Sequence, residues 1–133
     1  MSPEKTKQLY DKYPGIFAER SLSPDESCMA FGLECDDGWY DLLDVLCSLI
    51  MWETKYDENM KPVVALQVKE KFGTLRFYYR GGNDAISSYV TFAENMSGRT
   101  CEVCGSVGSV RDGGWLRTLC DQHAKELGYE LSS

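Results

Sequence analysis

The chain has 133 residues, 43% of them hydrophobic and 12% aromatic, which is the composition of one folded domain and not of a disordered segment. Its formal net charge of −7 argues against a duplex nucleic-acid partner, since such proteins gain most of their affinity by neutralising phosphates. No secretory signal or membrane-spanning run is evident, so we expect a cytoplasmic protein with no membrane partner.

The first half of the chain is predicted to be mainly helical. Residues 4–20 show a short helical pattern that Pro14 interrupts, and residues 29–34 are predicted to be extended. The clearest helix covers residues 38–53, because its apolar side chains recur at helical spacing. These side chains are Trp39, Leu42, Leu43, Leu46, Leu49 and Ile50.

Three carboxylates lie on another face of that helix: Asp37, Asp41 and Asp44 follow at i, i+4 and i+7. We expect Asp37 to cap the helix, Asp41 to favour its positive end and all three to face solvent. The alternative is a divalent-cation site that supports acid and base chemistry. The sequence leaves open whether they have a role beyond capping and solubility.

Residues 62–80 switch to a period of two, which predicts a β-hairpin. The side chains expected to face the core are Val64, Leu66, Val68, Leu75, Phe77 and Tyr79. Alternation then places a cationic and aromatic set on the other face, namely Gln67, Lys69, Arg76, Tyr78 and Arg80. This face is either a binding surface for a nucleotide or another anion, or a solvated face whose cations neutralise neighbouring acids.

A third helix follows the hairpin, with the apolar stripe Ile86, Tyr89, Val90, Ala93 and Met96 and with Gly98 at its end. The predicted fold is α+β: helices pack on a small antiparallel hairpin sheet, and a treble-clef or zinc-ribbon-like lobe closes the C-terminal end. We divide it into an α+β body at 1–98 and a metal-binding lobe at 99–133, packed together as one compact unit.

The lobe carries a strong metal motif, in which Cys101 and Cys104 form a C-x2-C-G knuckle and Cys120 and His123 repeat the two-residue gap. Two close pairs of such ligands suit a tetrahedral, structural Zn²⁺. His123 is the only histidine, so this assignment removes the commonest general acid and base from the chain. Four protein ligands leave no position open for water, so we expect a protein that is not an enzyme.

Further side chains around the metal motif are candidates for ligand binding: Arg99, Arg111, Trp115 and Arg117. Trp115 beside two glycines is either buried against the knuckle or exposed as an interaction anchor, and the sequence does not decide between them. Cys28, Cys35 and Cys47 have no histidine to activate them, so we expect them to be small buried apolar residues.

Several strings in this chain are specific: FGLEC at 31–35, DGWYDLL at 37–43, VKEKFGTLRFYY at 68–79, GRTCEVCG at 98–105 and GGWLRTLC at 113–120. Together they resemble a family of small zinc-binding proteins of bacteriophages and prophages that has no assigned activity. The resemblance spans nearly the whole chain. It implies a context in the host cytoplasm and action on host machinery or host defence, but no mechanism.

The sequence is compatible with four functions. The first is a zinc-stabilised protein that binds a host protein, plausibly one of an anti-phage defence system. The second is a sponge for a nucleotide second messenger, bound by Lys69, Arg76, Tyr78 and Arg80. The third is nucleic-acid binding through the zinc lobe, and the fourth is an enzyme built on the three aspartates. The partner, the ligand and the oligomeric state are not determined by the sequence.

Overall fold

The structure is a computed structural model that describes residues 1–131. Its α-helices are α1 Pro3–Lys12, α2 Tyr40–Tyr56, α3 Asp84–Ser97 and α4 Asp121–Glu126. Its strands are β1 Leu33–Glu34, β2 Val64–Lys71, β3 Thr74–Arg80, β4 Ser109–Asp112 and β5 Leu116–Leu119. Short 3-10 helices occupy Cys28–Phe31 and Asp37–Trp39. The predicted α+β class is therefore confirmed.

The β2–β3 hairpin forms where the period-two pattern predicts it, but its core face differs in one place. Ala65 pairs with Tyr79 and Gln67 pairs with Tyr78, so Leu66 is an extra residue in a β-bulge. Ala65 is consequently fully buried, whereas Leu66, predicted to face the core, is only half-buried. Simple alternation cannot foresee this shift, because a bulge inverts the facing of the residues before it.

The sheet also has a third strand, β1, which runs parallel to β2 with Leu33 beside Val68. The sheet order is β1-β2-β3, so the predicted purely antiparallel hairpin sheet is instead a mixed one. Of the stretch 29–34 that was predicted to be extended, only Leu33–Glu34 forms a strand. A two-residue strand carries no periodicity of its own, and here its pairing is provided by the neighbouring β2.

Helices α2 and α3 cover the sheet and enclose the core. Trp39, Leu43 and Ile50 are completely buried, whereas Leu49, which the sequence pattern placed on the apolar stripe, is 38% exposed. Helix α3 begins at the cap Asn83, whose side chain accepts a hydrogen bond from the Ile86 N–H at 3.1 Å. The segment after α1 closes the far side with Phe17, also fully buried.

Helix α3 also protects the outer edge of β3. The N–H of Leu75 donates to Ser97 Oγ at 2.8 Å, and the N–H of Phe77 donates to the Glu94 carboxylate at 2.9 Å. These side chains satisfy donors that an edge strand otherwise offers to another chain. This part of the β3 edge is therefore closed to pairing with a further strand.

The lobe is joined to the body at two places. Beside the second 3-10 helix, the Gly38 N–H donates to the Glu102 carbonyl at 2.7 Å, and Trp39 Nε1 donates to the Thr100 carbonyl at 2.9 Å. At the β2–β3 turn, Thr118 Oγ1 donates to the Gly73 carbonyl at 2.6 Å. Gly38 is essential to this docking, because a Cβ there would lie 2.2 Å from the Cys101 carbonyl oxygen.

The three cysteines outside the metal motif differ in their burial. Cys35 and Cys47 are buried as predicted, but Cys28 is exposed, because the 3-10 helix turns Met29 inward in its place. No helix within residues 1–131 has the length and apolarity required to cross a membrane.

Candidate metal centre

The four predicted ligands Cys101, Cys104, Cys120 and His123 come together, with their ligand atoms all within 4.8 Å of one another. Cys120 Sγ lies 3.2 Å from His123 Nδ1, and Cys101 Sγ lies 3.7 Å from the same nitrogen. The Sγ atoms of Cys104 and Cys120 are 3.9 Å apart. The set is a candidate metal-binding site in which His123 faces the sulfurs through Nδ1.

The first ligand pair is positioned by a tight backbone turn. The Gly105 N–H donates to the Cys101 carbonyl at 2.8 Å, and the Cys101 N–H donates to the Ser106 carbonyl at 2.7 Å. Gly105 has φ of 83°, a conformation that glycine adopts without steric cost. The C-x2-C-G spacing therefore has a local structural reason: the glycine turns the chain back so that both thiols face the same point.

The second ligand pair begins α4. Cys120 is the N-cap of this helix, and its Sγ accepts a hydrogen bond from the His123 N–H at 3.5 Å. One helical turn then brings the imidazole back beside the sulfur. On the far side of the ring, Nε2 lies 3.8 Å from a carboxylate oxygen of Glu126, which favours a proton on that nitrogen and leaves Nδ1 to act as a ligand.

The β4–β5 hairpin brings the two ligand pairs together, with Arg111 opposite Arg117 in its register. Arg111, a candidate for ligand binding on sequence grounds, is buried: its guanidinium donates to the Leu119 carbonyl at 3.1 and 3.0 Å and pairs with Asp121 at 2.8 Å. It therefore connects β5 to the start of α4 beside Cys120. Knuckle, hairpin and helix together form the predicted treble-clef arrangement.

Electrostatics near the knuckle differ between neighbouring residues. Hydrogen bonds from the side chain and backbone of Ser106 lower the pKa of the exposed Cys104 thiol to about 6. Burial raises the pKa of Glu102, although its carboxylate accepts from the Asp36 N–H at 3.1 Å and lies 3.5 Å from Arg117. A thiol with a lowered pKa loses its proton readily, as a metal ligand must.

The three aspartates of the α2 region do not assemble into a second site. Asp37 accepts a hydrogen bond from the Ser2 N–H at 2.7 Å and does not cap α2, while Asp44 accepts from Lys12 at 2.8 Å and from Tyr13 at 2.7 Å. Asp41 is exposed. Within residues 1–131, the Cys3His set is the only group of three or more His, Cys, Asp or Glu with metal-ligand geometry.

The candidate ligand-binding residues are only partly brought together. Cross-strand pairing places Lys69 beside Arg76 and Gln67 beside Tyr78, so the predicted polar face of the hairpin exists. Arg80 forms an ion pair with Glu19, however, and Arg117 pairs with Asp36 at 2.7 Å. Arg99 is exposed in the lobe.

A cleft of about 590 Å³ separates the turn of the β2–β3 hairpin from the turn of the β4–β5 hairpin. Its lining residues are Lys69, Glu70, Lys71, Phe72, Asp112, Gly114, Trp115 and Leu116. Trp115 is 70% exposed and Phe72 is 68% exposed. Of the two alternatives for Trp115, buried against the knuckle or exposed, the structure therefore has the exposed one. Sequence reasoning did not single out Phe72, although an aromatic residue at the tip of a two-residue turn was a visible signal.

The chain matches no protein-family model, no curated protein and no solved structure. The resemblance to a phage family consequently stays a prediction. What the protein does has to be inferred from the metal centre, the cleft and the charges around them.

Proposed function

We propose that the Cys3His set binds a structural Zn²⁺. A tetrahedral zinc ion with Zn–S and Zn–N bonds of about 2.3 and 2.0 Å requires ligand atoms roughly 3.6 to 3.8 Å apart. Three of the six ligand-atom separations, at 3.2, 3.7 and 3.9 Å, are close to this, and all six are within 4.8 Å. Three thiolates and one imidazole also favour zinc over the harder cations Mg²⁺ and Ca²⁺.

Such a site has a structural role, because its four protein ligands fill the tetrahedral shell that a catalytic zinc leaves open for water. The assignment also engages the only histidine of the chain. The remaining carboxylates of the α2 region have intramolecular partners or face solvent. These properties support a protein that is not an enzyme.

We further propose that the protein binds a partner through the cleft between the two hairpin turns, and that this partner is a host protein such as one of an anti-phage defence system. The observation that carries this proposal is the exposure of Trp115 and Phe72, at 70% and 68%, on the two sides of one cleft. Aromatic side chains dominate the binding energy of protein interfaces when a partner buries them.

The backbone at Trp115 is held by a hydrogen bond from the C-terminal segment. Tyr129 donates its hydroxyl to the Trp115 carbonyl at 2.8 Å, which secures the turn while the indole faces solvent. A rigid aromatic anchor loses little entropy when it binds.

Phe72 adopts φ of 53°, the only positive value at a non-glycine residue within the described part of the chain. For a bulky side chain this conformation costs roughly 1–2 kcal/mol, and asparagine or glycine is usual at such a turn. Retaining a strained aromatic residue at the tip of a turn is consistent with a binding role for its ring.

Charge around the cleft also suits a protein partner. Two lysines, Lys69 and Lys71, lie among the acidic groups Glu70 and Asp112, so the rim carries both signs. A mixed polar rim around an aromatic centre is typical of protein interfaces. The compartment that we propose is the host cytoplasm, in keeping with the phage resemblance.

A nucleotide second messenger is the alternative ligand, since Lys69 and Arg76 are neighbours on the hairpin face. Two observations weigh against it: Arg80 is paired with Glu19, and Arg117 is paired with Asp36 and Glu102. An anion would have to displace these carboxylates. Nucleic-acid binding is weaker still, because it would oppose a net charge of −7.

The experiment is affinity capture from a bacterial lysate with zinc-loaded protein as bait, followed by identification of the proteins and small molecules that copurify. Three variants are compared with the wild type: Trp115→Ala, Phe72→Asn and Phe92→Ala. The last is a matched control, because Phe92 is a 67% exposed aromatic residue of α3 outside the cleft. We expect both cleft variants to lose the partner and Phe92→Ala to retain it.

Phe72→Asn has a second readout that separates binding from folding. Asparagine relieves the strain of the positive φ, so this variant should unfold at a higher urea concentration than the wild type while binding less. Retention of the partner by both cleft variants would contradict the proposed surface. A nucleotide that copurifies, and whose heat of binding is lost in Arg76→Ala, would favour the alternative ligand.

A further inference from the structure

Helix α2 carries a second apolar surface, opposite the one that faces the core. Val45, Leu49, Trp52 and Tyr56 are exposed by 57%, 38%, 51% and 73% respectively. We call this set the α2 stripe. Its members are spaced by four, three and four residues, which places them along one line of the helix. The core-facing residues of α2, among them Leu43, Cys47 and Ile50, lie on the other side.

The α2 stripe is a continuous surface. Trp52 and Tyr56 are one turn apart, and their ring centroids are 4.3 Å from each other. The stripe extends over three turns, or about 16 Å at 1.5 Å per residue. Apolar residues at this alternating spacing are the pattern by which one helix packs along another in a coiled coil.

The charges beside the α2 stripe indicate what packs against it. Asp41, Ser48 and Lys55 follow at intervals of seven residues and are all exposed, so they form one flank of the stripe. Neither Asp41 nor Lys55 has an ion-pair partner within residues 1–131. Ser48, midway between them, donates its hydroxyl to the Val45 carbonyl of its own helix at 2.7 Å.

The charges on this flank are complementary to those of a second copy of α2 that runs in the opposite direction. If two α2 helices lie antiparallel with a two-fold axis beside Ser48, Asp41 of each copy lies opposite Lys55 of the other. Two Asp41–Lys55 ion pairs can then form across the interface, and the apolar stripes of the two copies face each other. In a parallel two-fold arrangement through the stripe, the two copies of this flank would lie on opposite sides of the interface, and Asp41 and Lys55 would stay unpaired.

We propose that the protein forms a homodimer through the α2 stripe, with the two α2 helices antiparallel about Ser48. A two-fold interface uses the same patch on both subunits, so self-complementary charge is what such a dimer requires. Two aromatic rings per copy supply the buried area, since each buries roughly 150–250 Å² when it is fully covered. The cleft and the metal centre lie on other elements, so this inference does not rest on the proposed function.

The test measures the mass of the zinc-loaded full chain by sedimentation from micromolar to submillimolar concentration at physiological salt. The expected result is a reversible dimer with twice the chain mass of 15.0 kDa. Trp52→Glu places a charge in the centre of the stripe and should give a monomer at every concentration. Phe92→Glu alters a similarly exposed aromatic residue of α3 and should leave the dimer unchanged.

Charge variants test the antiparallel register. Asp41→Lys and Lys55→Asp should each weaken the dimer, because like charges then face each other at both positions. The double variant Asp41→Lys/Lys55→Asp should regain it, and a mixture of the two single variants should form a mixed dimer. Circular dichroism confirms that every variant is folded.

A wild-type chain that stays monomeric over the whole range overturns the proposal, and so does a dimer that survives Trp52→Glu. A dimer that is lost in Trp52→Glu but is not restored in the charge-exchanged double variant overturns the antiparallel register. Partner capture plays no part in these measurements, so failure here is distinguishable from failure of the proposed function.

Discussion

The body and the lobe of this protein differ in how much apolar side-chain surface they bury. The body encloses one cluster of twenty buried residues, whereas the described part of the lobe, residues 99–131, has a buried cluster of three, Cys101, Leu119 and Ala124. A segment as short as the lobe cannot bury enough apolar surface to fold alone, and domains of that size usually require a metal or disulfides. The body can therefore be stabilised by burial alone, whereas the lobe would depend on the Zn²⁺ that we propose for its four candidate ligands.

The largest expected effect is that of removing the zinc ion that we propose for the lobe. Structural zinc sites contribute about 10–16 kcal/mol of apparent binding free energy, so a chelator or Cys120→Ser should unfold the lobe. Hydrogen exchange should show lost protection in β5 and α4, with most of the protection in β2, β3 and α3 retained.

The matched control is Cys28→Ser, which replaces an exposed cysteine outside the metal centre and should keep both zinc and the wild-type exchange pattern. Protected amides in α4 after complete zinc removal would show that the lobe is stable without zinc. That result would contradict the proposed difference between the lobe and the body.

The next effect tests the body. Leu43 is fully buried, so Leu43→Ala should lower the free energy of unfolding by about 2–5 kcal/mol through lost burial and a cavity. Urea unfolding followed by circular dichroism measures it. Leu22→Ala is the control, since Leu22 is 36% exposed and its truncation should cost much less. An equal decrease in the free energy of unfolding in the two variants would mean that burial does not explain the effect at Leu43.

The junction between the two regions should respond next. A Cβ at Gly38 would lie 2.2 Å from the Cys101 carbonyl oxygen, so Gly38→Ala should push the lobe away from the second 3-10 helix at a cost of about 1–3 kcal/mol. Thermal unfolding measures the loss. Gly15→Ala, with nothing within 4 Å of its Cβ, should leave the melting temperature nearly unchanged, and an equal decrease there would refute the steric account.

The smallest expected effect concerns the pH at which the lobe releases zinc. Because Ser106 lowers the pKa of Cys104 to about 6, this ligand is mostly a thiolate at neutral pH and competes for a proton only as the pH falls through 6. Ser106→Ala should raise that pKa, so zinc release on acidification should begin at a higher pH. A rise of about one pKa unit would lower the thiolate fraction at pH 7, and with it the zinc affinity, by roughly twofold.

A zinc-responsive dye measures release during the titration, and Ser109→Ala is the control because Ser109 is an exposed serine of β4. Unchanged release in Ser106→Ala would show that the hydroxyl does not set the protonation of Cys104.

Features that depend on local spacing could be predicted from the sequence. The metal ligands follow from two close pairs, the α2 and α3 helices from period-3.6 patterns, and the hairpin from period-two alternation. Each of these signals is contained within a few neighbouring residues, because the backbone geometry of helices, strands and knuckles repeats over that distance.

Features that depend on distant neighbours could not be predicted. Strand β1 exists because β2 pairs with it, the bulge at Leu66 changes which residues face the core, and Arg111 is buried only because β5 and α4 surround it. The cleft between Phe72 and Trp115 requires two turns that are more than forty residues apart in sequence. The sequence by itself therefore determined the candidate metal ligands and the main elements. The tertiary structure alone decided which side chains are exposed, since exposure is a property of packing between elements.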